Sequence, residues 1–224
     1  MLPAFTHIRN WIFDLDNTLY AAETNLFALI DVKMGAFIAD LLDVDAERAR
    51  RLQKDYFYRY GTTLAGLMHE HGVDPHAFLD YVHDIDLDRV EASPDLAAQI
   101  AALPGRKLIF TNADAGYAER VLARIGLDSH FDAIHDIHAT GFQPKPMDHA
   151  YHSLCAAHAV DPAQSLFVED MARNLAPAKA LGMTTIWLNN GSEGGGHDLD
   201  RDAIDYEIGS LGAWLASLKT GEMA

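Results

Sequence analysis

The chain has 224 residues, of which 49% are hydrophobic and 22% are charged. This composition is typical of a globular protein with a buried core and excludes a disordered or fibrous one. Its 33 Asp and Glu residues outnumber its 17 Lys and Arg residues, which gives a formal net charge of -16. Such a charge repels phosphate backbones and anionic lipid surfaces, so we expect neither a nucleic-acid polymer nor a membrane as a partner.

Cysteine content and apolar segments indicate the compartment. Cys155 is the single cysteine, so it can form no disulfide within the chain. No stretch approaches the roughly 18 consecutive apolar residues of a membrane span. The first residues, MLPAFTHIRNWIF, lack the pattern of a secretory signal. We therefore expect a cytoplasmic protein.

Four short apolar runs predict the strands of a parallel sheet. They are Trp11–Phe13, Leu108–Phe110, Leu166–Val168 and Thr184–Leu188. Helical patterns separate the later runs, and Gly126 and Gly182 stand where two of these helices should end. Strands that alternate with helices predict an α/β fold, with a doubly wound, Rossmann-like parallel sheet covered on both faces.

A helical block interrupts this alternation. From about residue 21 to residue 90 there is no convincing strand, and the apolar residues recur with helical spacing. Gly61, Gly66 and the segment 72–75 are turn signals within it. A block of this length after the first strand predicts a small cap domain over the functional edge of the sheet. We therefore expect a core domain over residues 1–20 and 91–224 and a helical cap domain over residues 21–90.

Polar residues follow three of the predicted strands, at the edge where open parallel sheets bind ligands. Asp14 and Asp16 lie two apart after the first strand, so one could act as a nucleophile and the other as an acid or base. The remaining polar residues are Thr111 and Asn112 after the second strand, Lys145 between two prolines, and Glu169 and Asp170 after the third strand. Each group alone also fits a turn, a helix cap or a surface loop, and only the combination is specific.

Four segments in chain order carry a family resemblance. WIFDLDNTLY, LIFTNAD, QPKP and FVEDMARNLAPAKALGM resemble the four motifs of the haloacid dehalogenase superfamily of phosphotransferases. A helical cap inserted directly after the first motif is the arrangement of one major subgroup of that superfamily. The segments DLDNTLY, YRYGTTLAGL, HEHGVD, VHDID and FTNA further resemble the pyrimidine 5′-nucleotidase branch. The resemblance implies a Mg²⁺-dependent phosphatase.

The first motif is implied to carry the covalent chemistry. By resemblance, Asp14 is the nucleophile that forms an aspartyl-phosphate, and Asp16 protonates the leaving oxygen and then activates water. Thr18 is implied to position Asp16. A phosphate dianion must approach these carboxylates, and each pair of like unit charges at about 4 Å costs on the order of 4 kcal/mol at an effective dielectric constant of about 20. Local cations are therefore required.

The later motifs are implied to bind the phosphoryl group and a Mg²⁺ ion. Thr111 and Asn112 would hold phosphoryl oxygens, and Lys145 would neutralise the nucleophile and the phosphoryl group. The ligands implied for Mg²⁺ are Asp14, the backbone carbonyl of Asp16, Asp170 and, directly or through water, Glu169. Asn174 stands where some relatives carry an acid, and we expect it to support the ligands rather than join them. Hard oxygen ligands of this kind suit Mg²⁺.

Substrate choice is expected in the insert, because every phosphomonoester shares the group that the core motifs bind. Tyr60, Thr62 and Thr63 offer an aromatic ring and two hydroxyls to a nucleobase, beside Gly61 and Gly66, which would let the backbone approach a ligand. The same stretch also fits a turn between helices, with Thr62 or Thr63 as the N-cap. We expect a small phosphorylated metabolite as the partner, first of all a nucleotide, and leave the oligomeric state open.

Other functions stay open. A sugar phosphate phosphatase, a phosphoglycolate phosphatase or a sugar phosphomutase would use the same motifs. A hydrolytic haloacid dehalogenase would use the same nucleophile on carbon, but a halide leaving group needs neither the acid Asp16 nor a metal. A non-enzymatic binding protein is expected to have lost at least one of Asp14, Asp16, Lys145 and Asp170, and all four are present.

Overall fold

The fold is a six-stranded parallel sheet, seen in a computed structural model that describes residues 3–220. Its strands are β1 Asn10–Phe13, β2 Arg106–Phe110, β3 Ala133–His135, β4 Ser165–Glu169, β5 Thr184–Leu188 and β6 Tyr206–Ile208. They lie in the order β3-β2-β1-β4-β5-β6, and every neighbouring pair is parallel. Residues 1, 2 and 221–224, at the two ends of the predicted core domain, lie outside the described residues.

Nine α-helices are found within residues 3–220. They are α1 Leu26–Leu42, α2 Ala46–Tyr60, α3 Thr63–His71, α4 Pro75–His83, α5 Pro94–Ala101, α6 Ala115–Ile125, α7 Asp148–His158, α8 Leu175–Leu181 and α9 Leu211–Thr220. As predicted, Gly126 and Gly182 end α6 and α8, each with a positive φ that glycine adopts without steric cost. None of these helices is long and apolar enough to cross a membrane. The cytoplasmic location stays a prediction.

Both faces of the sheet are covered. Along β1, Trp11 and Phe13 point to one face and Ile12 to the other, because successive side chains of a strand alternate. The first face packs against α5, α6 and α9, and the second packs against α7 and α8. All three β1 side chains are fully buried. This double burial explains the continuous apolar runs and confirms the predicted Rossmann-like fold.

The insert after β1 contains the four helices α1 to α4 and no strand within residues 21–90, which the structure describes in full. Gly61 and Gly72 end α2 and α3, as expected of turn signals. Gly66 is different: it lies inside α3, where a Cβ atom would stand 2.4 Å from the Cβ of Tyr56. It therefore permits close packing of two helices and not a turn or the approach of a ligand. The division into a core and a cap domain stays a prediction.

The sequence did not indicate β3 and β6. Each has three residues, and β6 is the edge strand beside β5. Neither strand is fully buried along its length, so neither forms the continuous apolar run by which the other four were found. They extend the sheet at its two edges without changing the position of its central strands.

Candidate active site

The predicted polar residues converge at the carboxyl edge of the sheet because parallel strands end on the same side. Asp14 follows β1, Thr111 follows β2, and Glu169 is the last residue of β4. Together with Asp16, Asn112, Lys145 and Asp170, they line one cavity, and the inserted helices supply its opposite wall. The structure thus brings together the core residues expected from the sequence, except that Thr18 is outside the cavity lining.

Lys145 is the centre of the site. Its side chain is 1% exposed, and its Nζ donates to Asp14 Oδ1 at 2.7 Å, to Glu169 Oε2 at 2.7 Å and to the backbone oxygen of Phe110 at 2.8 Å. Burial alone would lower the pKa of Lys145, but the charges of Asp14 and Glu169 outweigh burial and hold this pKa above its ordinary value. Lys145 is therefore a fixed cation between two carboxylates.

Asn112 holds the backbone of Lys145. Its Oδ1 accepts from the Lys145 backbone N–H at 2.8 Å, and its Nδ2 donates to the Lys145 carbonyl oxygen at 3.2 Å. The sequence predicted a phosphoryl contact for this amide, and the contact found is with the chain. Thr111 Oγ1 accepts from the Ala113 N–H at 3.0 Å, so the hydroxyl proton of Thr111 is left for another acceptor in the cavity.

Thr18 contacts a different aspartate from the one expected. Its Oγ1 donates to Asp14 Oδ2 at 3.2 Å and not to Asp16. The two residues are four apart in the turn that follows β1, which brings the Thr18 hydroxyl back toward the first aspartate. Asp14 therefore has Lys145 on one oxygen and Thr18 on the other.

Asp16 is held by two tyrosines that the sequence analysis missed. Tyr20 OH donates to Asp16 Oδ1 at 2.6 Å, and Tyr117 OH donates to the same oxygen at 2.9 Å. Tyr20 stands inside the first motif, four residues after Asp16, but Tyr117 comes from α6, where helical spacing assigns it to the core. Burial raises the pKa of Asp16, and the hydrogen bonds from the two tyrosines oppose that rise.

Three carboxylates form an acidic cluster. Asp14, Glu169 and Asp170 each offer an oxygen within 4.8 Å of the others, and all three residues are buried. Burial raises the pKa of Asp14 and of Asp170, and the charge of Glu169 adds to the rise in both. Lys145 contacts two of these carboxylates, and the charge of Arg173 interacts with that of Glu169, so the protein itself balances part of the cluster's negative charge.

This cluster fits a divalent cation. Its donors are hard oxygens, which Mg²⁺ prefers. Asn174 adds a second observation: its Oδ1 is buried beside the cluster in the cavity wall and has no hydrogen-bond partner within residues 3–220. An unpaired buried oxygen is costly unless a cation or water meets it. Within those residues no other group of three or more ligating side chains has such spacing.

The predicted substrate-binding residues of the insert differ in whether they line the cavity. Thr62 and Thr63 line the cavity, but Thr62 Oγ1 caps α3 by accepting from the Ala65 N–H at 3.1 Å, and Thr63 Oγ1 donates to the Gln53 carbonyl at 3.3 Å. Tyr60 is outside the cavity lining, and its hydroxyl donates to Glu70. The geometry does not support the expected stacking role of Tyr60: it is the last residue of α2, and its ring lies against His69 of α3.

Three features define the class of protein: the Rossmann-like sheet, the acidic cluster at its carboxyl edge and the helices inserted after β1. They are typical of enzymes whose central aspartate directly follows the first strand of the sheet. A family model described as haloacid dehalogenase-like hydrolase matches residues 8–182, and the chain belongs to this family of hydrolases. The superfamily expected from the four motifs is confirmed.

Two curated relatives are similar in sequence. Phosphate metabolism protein 8 of Saccharomyces cerevisiae is 26% identical over 191 residues, which are 77% of this chain and 59% of that protein. Enolase-phosphatase E1 of Shewanella frigidimarina is 29% identical over 128 residues, which are 55% of this chain and 51% of that protein. The matched segments thus span between half and three fifths of these relatives.

Solved structures share the fold. A HAD phosphatase from Thermococcus onnurineus has a TM-score of 0.60 at 19% identity and covers 97% of this chain and 100% of its own. L-2-haloacid dehalogenase from Xanthobacter autotrophicus has a TM-score of 0.57 at 18% identity, covering 95% and 98%. The hydrolase YfnB from Bacillus subtilis, solved with magnesium, has a TM-score of 0.59 at 16% identity, covering 95% and 97%. At these identities the likeness is one of fold.

Proposed function

We propose that this hydrolase is a Mg²⁺-dependent phosphomonoesterase that acts through an aspartyl-phosphate at Asp14. The observation that carries the proposal is the buried contact of Lys145 with both Asp14 and Glu169, in a cavity that also holds Asp16 and Asp170. The charge of Lys145 lowers the pKa of Asp14 against the rise caused by burial and by Glu169, which favours the anionic nucleophile, and the same charge attracts a phosphoryl group.

The chain's own residues suffice to write both half-reactions. A carboxylate oxygen of Asp14 attacks phosphorus, the bond from phosphorus to the leaving oxygen breaks, and Asp16 gives its proton to that oxygen. Asp16 then takes a proton from water, which attacks the phosphoryl group. The bond between phosphorus and the Asp14 oxygen breaks, which releases orthophosphate and restores both aspartates. The raised pKa of Asp16 suits a group that must carry a proton and then accept one.

We propose that Asp14, Asp170 and the backbone carbonyl of Asp16 hold Mg²⁺, with Glu169 directly or through water. The close spacing of the buried carboxylate oxygens and the unpaired Asn174 Oδ1 support a cation there. When bound, the ion supplies positive charge against the phosphoryl oxygens. Thr111 contributes its hydroxyl to the same oxygens, and Lys145 contributes its charge.

The substrate that we propose is a nucleoside 5′-monophosphate, as in the pyrimidine 5′-nucleotidase branch that the sequence resembles. The cavity supports it because the insert, proposed as the cap domain, contributes several apolar and aromatic side chains to the lining, beside polar ones such as Asp31 and Lys54. The apolar and aromatic side chains include Phe27, Met34, Phe57, Tyr58 and Phe78. Flat apolar walls suit the ring of a base. Both curated relatives carry names that refer to phosphate chemistry, which agrees with a phosphorylated substrate.

A haloacid dehalogenase is the second candidate, because the L-2-haloacid dehalogenase from Xanthobacter autotrophicus shares the fold. Displacement of a halide from carbon needs no proton on the leaving group and no metal. In this chain Asp16 lines the same cavity as Asp14, and the buried carboxylates of Asp14, Glu169 and Asp170 lie close enough together to bind a metal ion. These features favour phosphorus over carbon.

One screen tests the proposal. Phosphate release is measured across nucleoside 5′-monophosphates, sugar phosphates and phosphoglycolate, and halide release is measured with L-2-chloropropionate, each with and without Mg²⁺. We expect phosphate release that requires Mg²⁺, is highest with a nucleotide and is absent from Asp14→Asn. Halide release without phosphate release would make the protein a dehalogenase. If a sugar phosphate is turned over faster than every nucleotide, the proposed nucleotide substrate is wrong and the proposed phosphatase activity stands.

A further inference from the structure

One oxygen of the Asp16 carboxylate accepts two hydrogen bonds from tyrosines. Tyr20 OH is 2.6 Å from Asp16 Oδ1, and Tyr117 OH is 2.9 Å from the same atom. Both tyrosines are buried, whereas Asp16 is partly exposed and lines the cavity. The two hydroxyls therefore come from the protein interior and fix one edge of the carboxyl group.

These hydroxyls stay protonated under ordinary conditions. The ordinary pKa of tyrosine is about 10, so both phenols carry their protons at neutral pH. A phenol that keeps its proton is a constant donor to a carboxylate, whether or not that carboxylate carries a proton on its other oxygen. Oδ1 is thus occupied, and Oδ2 is the oxygen left to exchange a proton.

The ring of Tyr117 packs against a helix of the insert. The His83 ring of α4 stacks on the Tyr117 ring, with centroids 4.4 Å apart and planes inclined by 12°. His83 Nδ1 bonds Asp114, and Asp114 Oδ1 caps α6 by accepting from the Tyr117 N–H at 2.8 Å. The ring of Tyr117 is therefore fixed from both sides, by its own helix and by a helix of the insert.

We propose that Tyr20 and Tyr117 are positioning residues that orient Asp16 so that its Oδ2 meets the leaving-group oxygen. This inference rests on the proposed function, in which Asp16 gives a proton to that oxygen. Neither tyrosine touches the phosphoryl group in this account. Their effect is to remove the rotation of a carboxyl group that would otherwise turn away from the reacting atoms.

The orientation of Asp16 as a general acid can be measured by comparing two substrates that differ in their leaving groups. An alkyl leaving group, such as the ribose oxygen of a nucleotide, needs a proton as it departs, whereas p-nitrophenolate is stable enough to leave without one. The ratio of kcat/KM for the two esters therefore measures proton donation. kcat/KM is the right parameter because it reports the steps up to departure of the leaving group and excludes hydrolysis of the phosphoenzyme.

The test compares Tyr20→Phe, Tyr117→Phe and the double variant on a nucleoside 5′-monophosphate and on p-nitrophenyl phosphate. We expect the double variant to lose about 10²-fold in kcat/KM for the nucleotide, the lower end of the range for a positioned acid. We expect the loss for the aryl ester to be less than about threefold, because that ester needs no acid. Tyr56→Phe is the matched control, since its buried hydroxyl bonds His71 Nε2 within the insert, and its ratio should be that of wild type.

The ratio within one variant does not depend on the fraction of folded protein, so partial misfolding cannot imitate the result. Equal losses for both esters, or no loss for either, would overturn the positioning role while leaving the phosphatase intact. If wild type releases phosphate from neither ester, the proposed function fails and this inference fails with it.

Discussion

The Nζ atom of Lys145 lies 2.7 Å from Asp14 Oδ1, and the side chains of the two residues are 1% and 9% exposed. Glu169 Oε2 is also 2.7 Å from Nζ. Lys145→Met would leave two buried carboxylates without their shared cation, so we expect the free energy of unfolding to fall by about 3 to 5 kcal/mol. Urea unfolding at neutral pH measures this change.

Lys179→Met is the matched control for that variant. Lys179 pairs with Asp205, but both side chains are partly exposed, at 38% and 29%. Exposed pairs contribute about 0 to 1 kcal/mol, so the control should lose little. Similar losses for the two variants would contradict the view that Lys145 is the electrostatic centre of the site.

Asp170 and Asn174 should differ in their effect on Mg²⁺ binding. Mg²⁺ should raise the melting temperature of wild type, because a ligand that binds only the folded state stabilises it. Asp170→Ala removes an anionic oxygen from the cluster and should abolish most of this increase, whereas Asn174→Ala removes a neutral amide and should retain most of it. Thermal melting over a Mg²⁺ titration gives both answers. The reverse order would mean that Asn174 is the ligand.

Variants of Met34 and Tyr60 test which part of the insert contacts the substrate. Met34 lines the cavity, whereas Tyr60 is outside the lining. Met34→Trp should lower kcat/KM for a nucleotide by about tenfold or more, because the larger side chain fills space needed by the base. Tyr60→Ala should leave that value close to wild type. Kinetics on a nucleotide and on phosphoglycolate are the measurement, and the small ester should be little affected by either change.

A specificity loss in Tyr60→Ala with none in Met34→Trp would mean that the base lies against α3. The proposed substrate pocket would then be in the wrong place. Equal losses on both esters with a lower melting temperature would instead report damage to the insert.

His135 should make stability depend on pH. It is 1% exposed, its Nδ1 lies 3.2 Å from His158 Nε2, and its Nε2 lies 2.9 Å from Ser153 Oγ. Burial, with the nearby His158, lowers the pKa of His135 from 6.5 to about 4. Between these values the unfolded chain binds more protons than the folded one, so stability is complete above about pH 6.5 and falls as pH drops toward 4.

The variant His135→Asn isolates this contribution. Its unfolding free energy should fall less steeply between pH 6.5 and pH 4, by on the order of 2 to 3 kcal/mol in total, because each full pKa unit is about 1.4 kcal/mol and His135 titrates only in part at the two ends of this range. Urea unfolding at several pH values gives the slope. His152→Asn, at an exposed position of α7, is the control and should keep the wild-type slope. If the unfolding free energy of His135→Asn depends on pH as steeply as that of wild type, His135 does not contribute to the pH dependence.

The core of the site was predictable from the sequence for a simple geometric reason. Parallel strands that end in polar residues deliver those residues to one edge, whatever the intervening chain does. Asp14, Thr111 and Glu169 were therefore expected together, and they are. The central strands were also clear, because burial on both faces produces uninterrupted apolar runs.

Contacts that depend on side-chain direction were not predictable. Thr18 bonds Asp14 rather than Asp16, a choice made by the turn after β1. Tyr117 is indistinguishable in sequence from a core residue of α6, since spacing gives the face of a helix but not what a hydroxyl meets across the chain. Tyr60 shows the converse: it lies in the stretch of chain that lines the cavity, but its ring contacts His69 and its hydroxyl contacts Glu70, both in α3.

Asp14 is the residue on which the account depends, and its covalent state during turnover is the most direct test. Wild type is quenched in acid while it turns over a nucleoside 5′-monophosphate with Mg²⁺, and the peptide that contains Asp14 is analysed by mass spectrometry. A parallel sample receives L-2-chloropropionate, and Asp14→Asn is the blank. We expect a phosphoryl group on Asp14 with the nucleotide, nothing in the blank and no adduct with the haloacid. Phosphate release with Asp14 unmodified, or an ester of Asp14 with the haloacid, would contradict the account.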